Sequence, residues 1–273
     1  MYRFDKLIKT NKMKKQVIYL ALTAVMSMTL MSCMSVNFGN GDKDTTPTQV
    51  PEINQVTTMQ PFDEVEISGA FKIVYEQGAE HSVRIEASEQ SFQEMTVYVK
   101  GDELRIRKAV AKPTASFKDV KVYVTSPDIK KIDLAGSGMF AAKNAINTSN
   151  NMNIDIAGSG NVLLTAVTCN DMKMDIAGSG NIEIGNLNTK NVDADIAGSG
   201  DVALGTMNCK ELIIDIAGSG DVTCEKIDAD KVNASIAGSG DVNLKGTVRN
   251  VTKDIAGSGK VNVIEVPIPE PAK

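Results

Sequence analysis

The residues whose types and spacing invite chemistry are two sets of polar side chains that recur about every 20 positions. Asp133, Asp155, Asp175, Asp195, Asp215 and Asp254 form one set, interrupted by Ser235; Asn161, Asn181, Asp201, Asp221 and Asp241 form the other. If the chain coils once per repeat, equivalent residues stack about 4.8 Å apart. Carboxylates that close disfavour each other's ionisation unless cations or hydrogen bonds compensate. One chemistry open to them is therefore an oxygen-loving cation such as calcium, bridging neighbouring coils. A separation of about 5 Å also matches the carboxylate pair of retaining glycosidases. The structural alternative is that Asp and Asn cap a tight corner through their own backbone bonds while the first set faces water. The same pair recurs in every coil, so no single pair is set apart for catalysis. There is no Cys-x-x-Cys, and the one histidine, His81, stands alone. Neither a catalytic residue, a metal nor a cofactor is assigned.

What must position these rows is a repeat. Ala-Gly-Ser-Gly occurs seven times, from Ala135–Gly138 to Ala256–Gly259, with spacings of 22, 20, 20, 20, 20 and 19. A fixed period near 20 marks a solenoid in which each repeat is one coil stacked on its neighbours. Counting the last Gly of each motif as zero, positions −8, −6, −4, +2 and +4 are apolar in nearly every coil. Around Gly220 they are Leu212, Ile214, Ile216, Val222 and Cys224. Polar residues lie between them, so each coil carries two strands of period two that meet at the motif. Two glycines per coil point to a corner that needs positive φ or close backbone approach. The fold class is all-β: a single-stranded parallel β-helix of about 20 residues per coil. In its last coil Lys253 takes an otherwise apolar position and Lys260 replaces Asn or Asp, a defence of the exposed strand edge.

The N-terminus reads as an export signal. Lys12, Lys14 and Lys15 precede the apolar run Val17–Met31, which is short for a membrane span and ends in Leu30-Met31-Ser32-Cys33. That ending resembles a bacterial lipobox and makes Cys33 the expected lipidation site; the alternative is an ordinary cleaved signal with a chance cysteine. Residues 1–32 are then signal peptide and 33–56 a polar, flexible tether. Beyond residue 32 the chain has 23 basic and 33 acidic side chains, a net charge of −10 that disfavours nucleic acid as a partner. Cys169 and Cys209 occupy equivalent positions two coils apart, about 9.6 Å by stacking, which is too far for a disulfide.

Residues 57–128 alternate without a clean repeat and form an irregular N-terminal β region. Candidate strands are Glu64–Ile67, Phe71–Tyr75, Ser82–Glu86, Thr96–Lys100, Glu103–Lys108 and Val120–Thr125, with a hairpin turn at Gly101-Asp102. Ser88 is a candidate N-cap of a short helix. Glu66-Ile67-Ser68-Gly69 reads as a worn copy of the later motif, so this region could be opening coils of the same solenoid. Most aromatic residues of the mature chain lie here: Phe62, Phe71, Tyr75, Phe92, Tyr98, Phe117 and Tyr123. They either cap the open end of the stack or offer a carbohydrate-stacking surface. The regular solenoid spans 129–266, followed by a Pro-rich tail, 267–273.

Three stretches together resemble the auto-transporter adhesin head, or GIN, domain family: Phe62–Tyr75, Val120–Gly138 ending Lys-Lys-Ile-Asp-Leu-Ala-Gly-Ser-Gly, and the later Asp-Ile-Ala-Gly-Ser-Gly copies. The resemblance covers about Phe62–Val263. It implies a right-handed parallel β-helix on the cell envelope and an adhesin-like role, and it supplies no catalytic motif. The combined expectation is an outer-membrane lipoprotein, periplasmic or surface-exposed. It would act as a non-catalytic adhesin-like binding or structural module, its partners the membrane, through the lipid anchor, and a host or cell-surface glycan or protein. The alternative is a carbohydrate-active β-helix enzyme, a polysaccharide lyase or glycoside hydrolase.

Overall fold

Alternation of apolar and polar residues across the Gly-Ser-Gly corner builds two long ladders of parallel strands. The computed structural model describes residues 53–109 and 113–265; the expected signal peptide, Cys33 and the Pro-rich tail lie outside them. All described residues belong to one compact unit, Pro47–Lys273, a β-solenoid of about seven turns.

The N-terminal region contributes β1 (Val56–Thr58), β2 (Glu64–Gly69), β3 (Lys72–Gln77), β4 (Ser82–Glu86), α1 (Glu89–Gln93), β5 (Met95–Lys100), β6 (Glu103–Lys108) and β7 (Lys121–Ser126). The repeats then give β8 (Lys131–Gly136), β9 (Met139–Ala142), β10 (Ile146–Asn147), β11 (Met152–Gly158), β12 (Asn161–Thr168), β13 (Asp171–Gly178), β14 (Asn181–Asn188) and β15 (Asn191–Gly198). Three long strands that turn the corner unbroken, β16 (Asp201–Gly218), β17 (Val222–Gly238) and β18 (Asp241–Gly257), and the short β19 (Lys260–Ile264) complete the stack.

Wall A, the ladder before each motif, runs β6, β2, β8, β11, β13, β15 and then the second halves of β16, β17 and β18. Wall B, the ladder after it, runs β7, β3, β9, β12, β14, the first halves of β16 to β18, and β19. The expected inward positions are buried from Val65 and Ile67 to Val242 and Leu244, but in the last coil of wall A, which has no further coil beyond it, Val251 and Ile255 are exposed. Each such side chain contributes about 1.5–3 kcal/mol of apolar burial. The 19-residue coil is accommodated by a register shift between Cys224 and Ile227 in the pairing of β17 with β18.

The corner explains both glycines. Gly198 has φ of 134°, and a Cβ on it would lie 2.2 Å from the Gly178 carbonyl oxygen. Gly200 has no such dihedral demand, yet its Cβ would lie 2.3 Å from the Gly180 oxygen. The first glycine serves both conformation and approach; the second serves approach alone. Between them the serine's backbone N–H ties the coils together, Ser199 donating to Gly178 O at 2.8 Å. Ser199 itself is exposed.

Stack order departs from chain order at the N-terminal end. The coil β2–β3 lies between β8–β9 on one side and β6–β7 on the other, so the outermost parallel coil is a later segment of the chain. Glu66-Ile67-Ser68-Gly69 is indeed a copy of the motif, in register with Asp133-Leu134-Ala135-Gly136. Antiparallel strands then finish the edges: β5 pairs with β6, and β4 with β7, with β1 outside β4. Ile53 bridges Ile85, so pairing begins within the stretch expected to be tether. Ser88 caps α1, its hydroxyl accepting from Ser91 N–H at 3.2 Å. At the opposite end Lys253 Nζ donates to the Val261 carbonyl at 2.6 Å, laying a charged chain across the open core as edge protection requires.

Candidate functional site

Both polar rows are real ladders; two lysines reach four carboxylates of the −5 row, and protein N–H groups bond along the +1 row. On wall A the −5 row reads Arg105, Glu66, Asp133, Asp155, Asp175, Asp195, Asp215, Ser235 and Asp254 in stack order. Position −7 lies on the same outer face, and two lysines there reach between successive carboxylates. Lys131 Nζ lies 3.4 Å from Asp133 and 3.2 Å from Asp155. Lys173 Nζ lies 2.6 Å from Asp175 and 3.5 Å from Asp195. The compensating cations are side chains of the row's own strands. Sequence reasoning missed them, although Lys131-Ile-Asp133 and Lys173-Met-Asp175 carry the signal: residues two apart on a strand share a face.

The electrostatics follow from this interleaving. Burial pushes the Asp155 carboxyl up; Lys131 pulls it back, and the charges of Asp175 and Asp133 push it further up. Burial and the neighbouring Asp193 charge likewise raise Asp195. The hydrogen bond to Asp175 raises Lys173. For Lys131 burial works downward, but Asp155 and Asp133 outweigh it and the ammonium is held above its ordinary value.

On wall B the +1 row forms a directional hydrogen-bond chain. Asn181 donates to Asn161 Oδ1 at 3.0 Å, and the backbone N–H of Asp201 donates to Asn181 Oδ1 at 3.1 Å. Asp221 N–H then donates to Asp201 Oδ1, Asp241 N–H to Asp221 Oδ1 and Lys260 N–H to Asp241 Oδ1, at 2.9, 2.7 and 2.8 Å. These side chains do cap the corner, but from Asn181 onward each accepts from the next coil's backbone rather than its own. With one oxygen of each carboxylate so engaged, the row joins coils without an ion. Among the described residues no group of three or more His, Cys, Asp or Glu gathers around a point that could hold a metal.

Wall A is also concave. Beside the −5 row, the −3 row is Ala from Ala135 to Ala256, and together they line a shallow trench of about 740 Å³. It crosses seven coils, roughly 29 Å of stack at one strand spacing per coil. Past Asp133 the alanine row continues as Ser68 and Arg107. There Arg107 donates to Glu66 at 2.6 Å, placing charge at the head of the trench. Such a surface can hold an extended chain lying across the strands. It repeats its chemistry and singles out no reacting pair.

The aromatic residues do not form a sugar platform. Phe62, Phe71, Tyr75, Phe117 and Phe140 are buried, with ring pairs Phe71–Phe117 at 5.1 Å and Tyr75–Phe140 at 5.7 Å. Burial pushes the Tyr75 hydroxyl up to about 12, and it bonds Ser126 Oγ at 3.1 Å. Tyr98 and Tyr123 keep part of a ring on the outer walls, and Arg84 covers the latter at 3.9 Å. His81 accepts the Phe62 N–H on Nδ1 and packs edge-on against that ring. Cys169, Cys209 and Cys224 are buried and free; Thr189 stands between the first two, 3.6 Å from Cys169 Sγ.

The pattern of the family described as "Putative auto-transporter adhesin, head GIN domain" matches residues 61–225 and 205–269, nearly the whole solenoid. The chain belongs to this family. Solved structures share the GIN architecture. A "putative adhesin" from Bacteroides fragilis aligns with a TM-score of 0.67 at 19% identity, over 82% of this chain and 100% of that one. A "putative lipid binding protein" from Parabacteroides distasonis aligns with 0.61 at 26% identity, over 77% and 96%. A "putative adhesin" from the same species gives 0.54 at 21%, over 79% and 99%. No curated protein matches this GIN chain.

Proposed function

We propose that this GIN-domain chain is a non-catalytic binding module tethered to the cell envelope through a lipid on Cys33, with the trench of wall A as its binding face. The observation that carries the reading is repetition. The same carboxylate and alanine recur in successive coils, and Lys131 and Lys173 each bridge an adjacent pair of carboxylates. A catalytic acid and nucleophile need different environments; a surface for an extended polymer needs equal ones. The adhesin descriptions of the family and of two structural relatives support the binding role. The remaining relative's description adds lipid as a ligand class to test. The trench favours an extended glycan or peptide whose donors meet the row of carboxylates.

The test is a glycan and matrix-protein array probed with Pro47–Lys273, in calcium and in chelator. Selective binding that is unchanged by chelation and lost on Ala197→Phe, which fills the trench floor, supports the reading. Turnover of an arrayed polysaccharide overturns it in favour of a carbohydrate-active enzyme. For the anchor, labelled palmitate should enter the full chain and not its Cys33→Ser variant.

A further inference from the structure

Wall B is polarised in a way the repeat does not require. Following cross-strand partners, its +3 row reads Val56, Arg84, Tyr123, Val74, Ala141 and Leu163 through the first half of the stack. The adjoining +1 row reads Glu86, Lys121, Lys72 and Met139 over the same strands. Paired residues share a face, so these side chains form one outer patch. It holds three of the large apolar side chains most open to solvent: Val56 at 69%, Met139 at 38% and Leu163 at 37% exposure. Lys143 flanks the patch and, with Arg84, brackets the Tyr123 ring, at 5.4 and 3.9 Å from its centroid. Arg84 and Lys143 are offset by Glu86 and Glu76. Lys72 and Lys121 are exposed, and among the described residues no salt bridge holds either, so the patch is net basic. Farther along the same rows acidic residues take over, Glu183, Asp201, Asp221 and Asp241, before Lys260 ends the +1 row.

We infer that the basic, apolar half of wall B is a docking surface for an anionic lipid bilayer. Lysines beside exposed aliphatic and aromatic side chains suit a headgroup layer, where charge is attracted to phosphate and the apolar tips enter the boundary region. The acidic half of the wall is repelled by the same surface and turns away from it, which sets an orientation. The chain's entry point agrees: β1, the first strand after the N-terminal segment, lies at the edge of this patch beside Arg84. An anchor on that segment would therefore deliver the patch to the membrane. The inference rests on the tethered-module reading for the identity of that membrane, whereas the patch is testable without the anchor.

The experiment is co-sedimentation of unlipidated Pro47–Lys273 with vesicles of phosphatidylglycerol or of phosphatidylcholine. Binding is expected to the anionic vesicles only and to weaken as salt rises. Lys72→Gln with Lys121→Gln should lower it about twenty-five-fold, near five-fold per lysine. Met139→Ser with Leu163→Ser should lower it further without altering the salt dependence. Both pairs are solvent-exposed, and an unchanged melting temperature will certify the fold. No binding, equal binding to both vesicle types, or binding to anionic vesicles undiminished by Lys72→Gln with Lys121→Gln overturns the inference. Palmitate labelling of Cys33 reports separately on the anchor, so failure of one does not imply failure of the other.

Discussion

The regular coils and the N-terminal coils solve the same problem with different materials. From β11 onward each turn is closed by two glycines, filled by aliphatic side chains, and bound to the next by backbone rungs and the +1 carboxylate chain. The N-terminal coils keep one copy of that corner at Gly69, with φ of 144°. They otherwise rely on buried rings, antiparallel edges and a chain that doubles back so that β6–β7 lies outside β2–β3. Repetition suits the middle of a stack, where both neighbours are identical. An end has one neighbour, so it must fill a wider opening and blunt its edges. The ends themselves differ: rings and antiparallel strands close the first, while at the second, among the described residues, the Lys253 ammonium reaches across to the Val261 carbonyl.

That contrast can be broken at chosen points. Phe71→Ala should cost about 3–5 kcal/mol, because Phe71 is fully buried against Phe117. Hydrogen exchange should show the loss concentrated in β2 to β7 while β13 to β17 stay protected. Gly198→Ala should cost about 2–4 kcal/mol in chemical denaturation, since both dihedral and space are violated there. Gly101→Ala, at φ of 64° with nothing within 4 Å of a Cβ, should cost only about 1 kcal/mol. A Gly198 penalty as small as that of Gly101 would contradict the close-packed corner.

Smaller effects sharpen the account of the rows. Asp155 and Asp195 hold protons more tightly in the folded state, so stability from them falls as pH climbs just above the ordinary carboxylate range. Lys131 and Lys173 carry the same sign in a higher pH range: their stabilisation is present below the ordinary amine value and is lost as pH rises through their raised values. Lys131→Met should therefore steepen the acidic-side decline and flatten the alkaline one in pH-dependent melts. The change should be about 0.5 kcal/mol, because the pair is partly solvated. Burial pushes Cys209 up to about 12 and Cys224 to about 11, so thiol reagents at mild pH should label them only after unfolding.

Much of this was legible in the chain. The 20-residue period, the inward positions, the Gly101-Asp102 hairpin, Ser88 as cap and the motif copy at Ile67–Gly69 all express local rules, either strand alternation or backbone geometry. The placement of β6–β7 outside β2–β3 was not legible, because it depends on which of several similar strands pair across a long connection. The rings of Phe71 and Tyr75 could be read as core or as surface until the edge strands were placed. The −5 and +1 rows were legible as rows but not as partners: Lys131 and Lys173 lie on the same outer face as the carboxylates they join, and the +1 bonds run between coils, where a single repeat shows nothing.

The central claim is that the +1 row and the Asp133, Asp155, Asp175 and Asp195 carboxylates of the −5 row are engaged by groups of the protein itself, leaving repeated outer walls free to bind. Thermal unfolding of Pro47–Lys273 in millimolar calcium and in chelator tests it most directly. The account predicts superimposable transitions. A midpoint that rises with calcium concentration, and loses that rise on Asp201→Asn, Asp221→Asn and Asp241→Asn together, would contradict it and make the ladder a metal site.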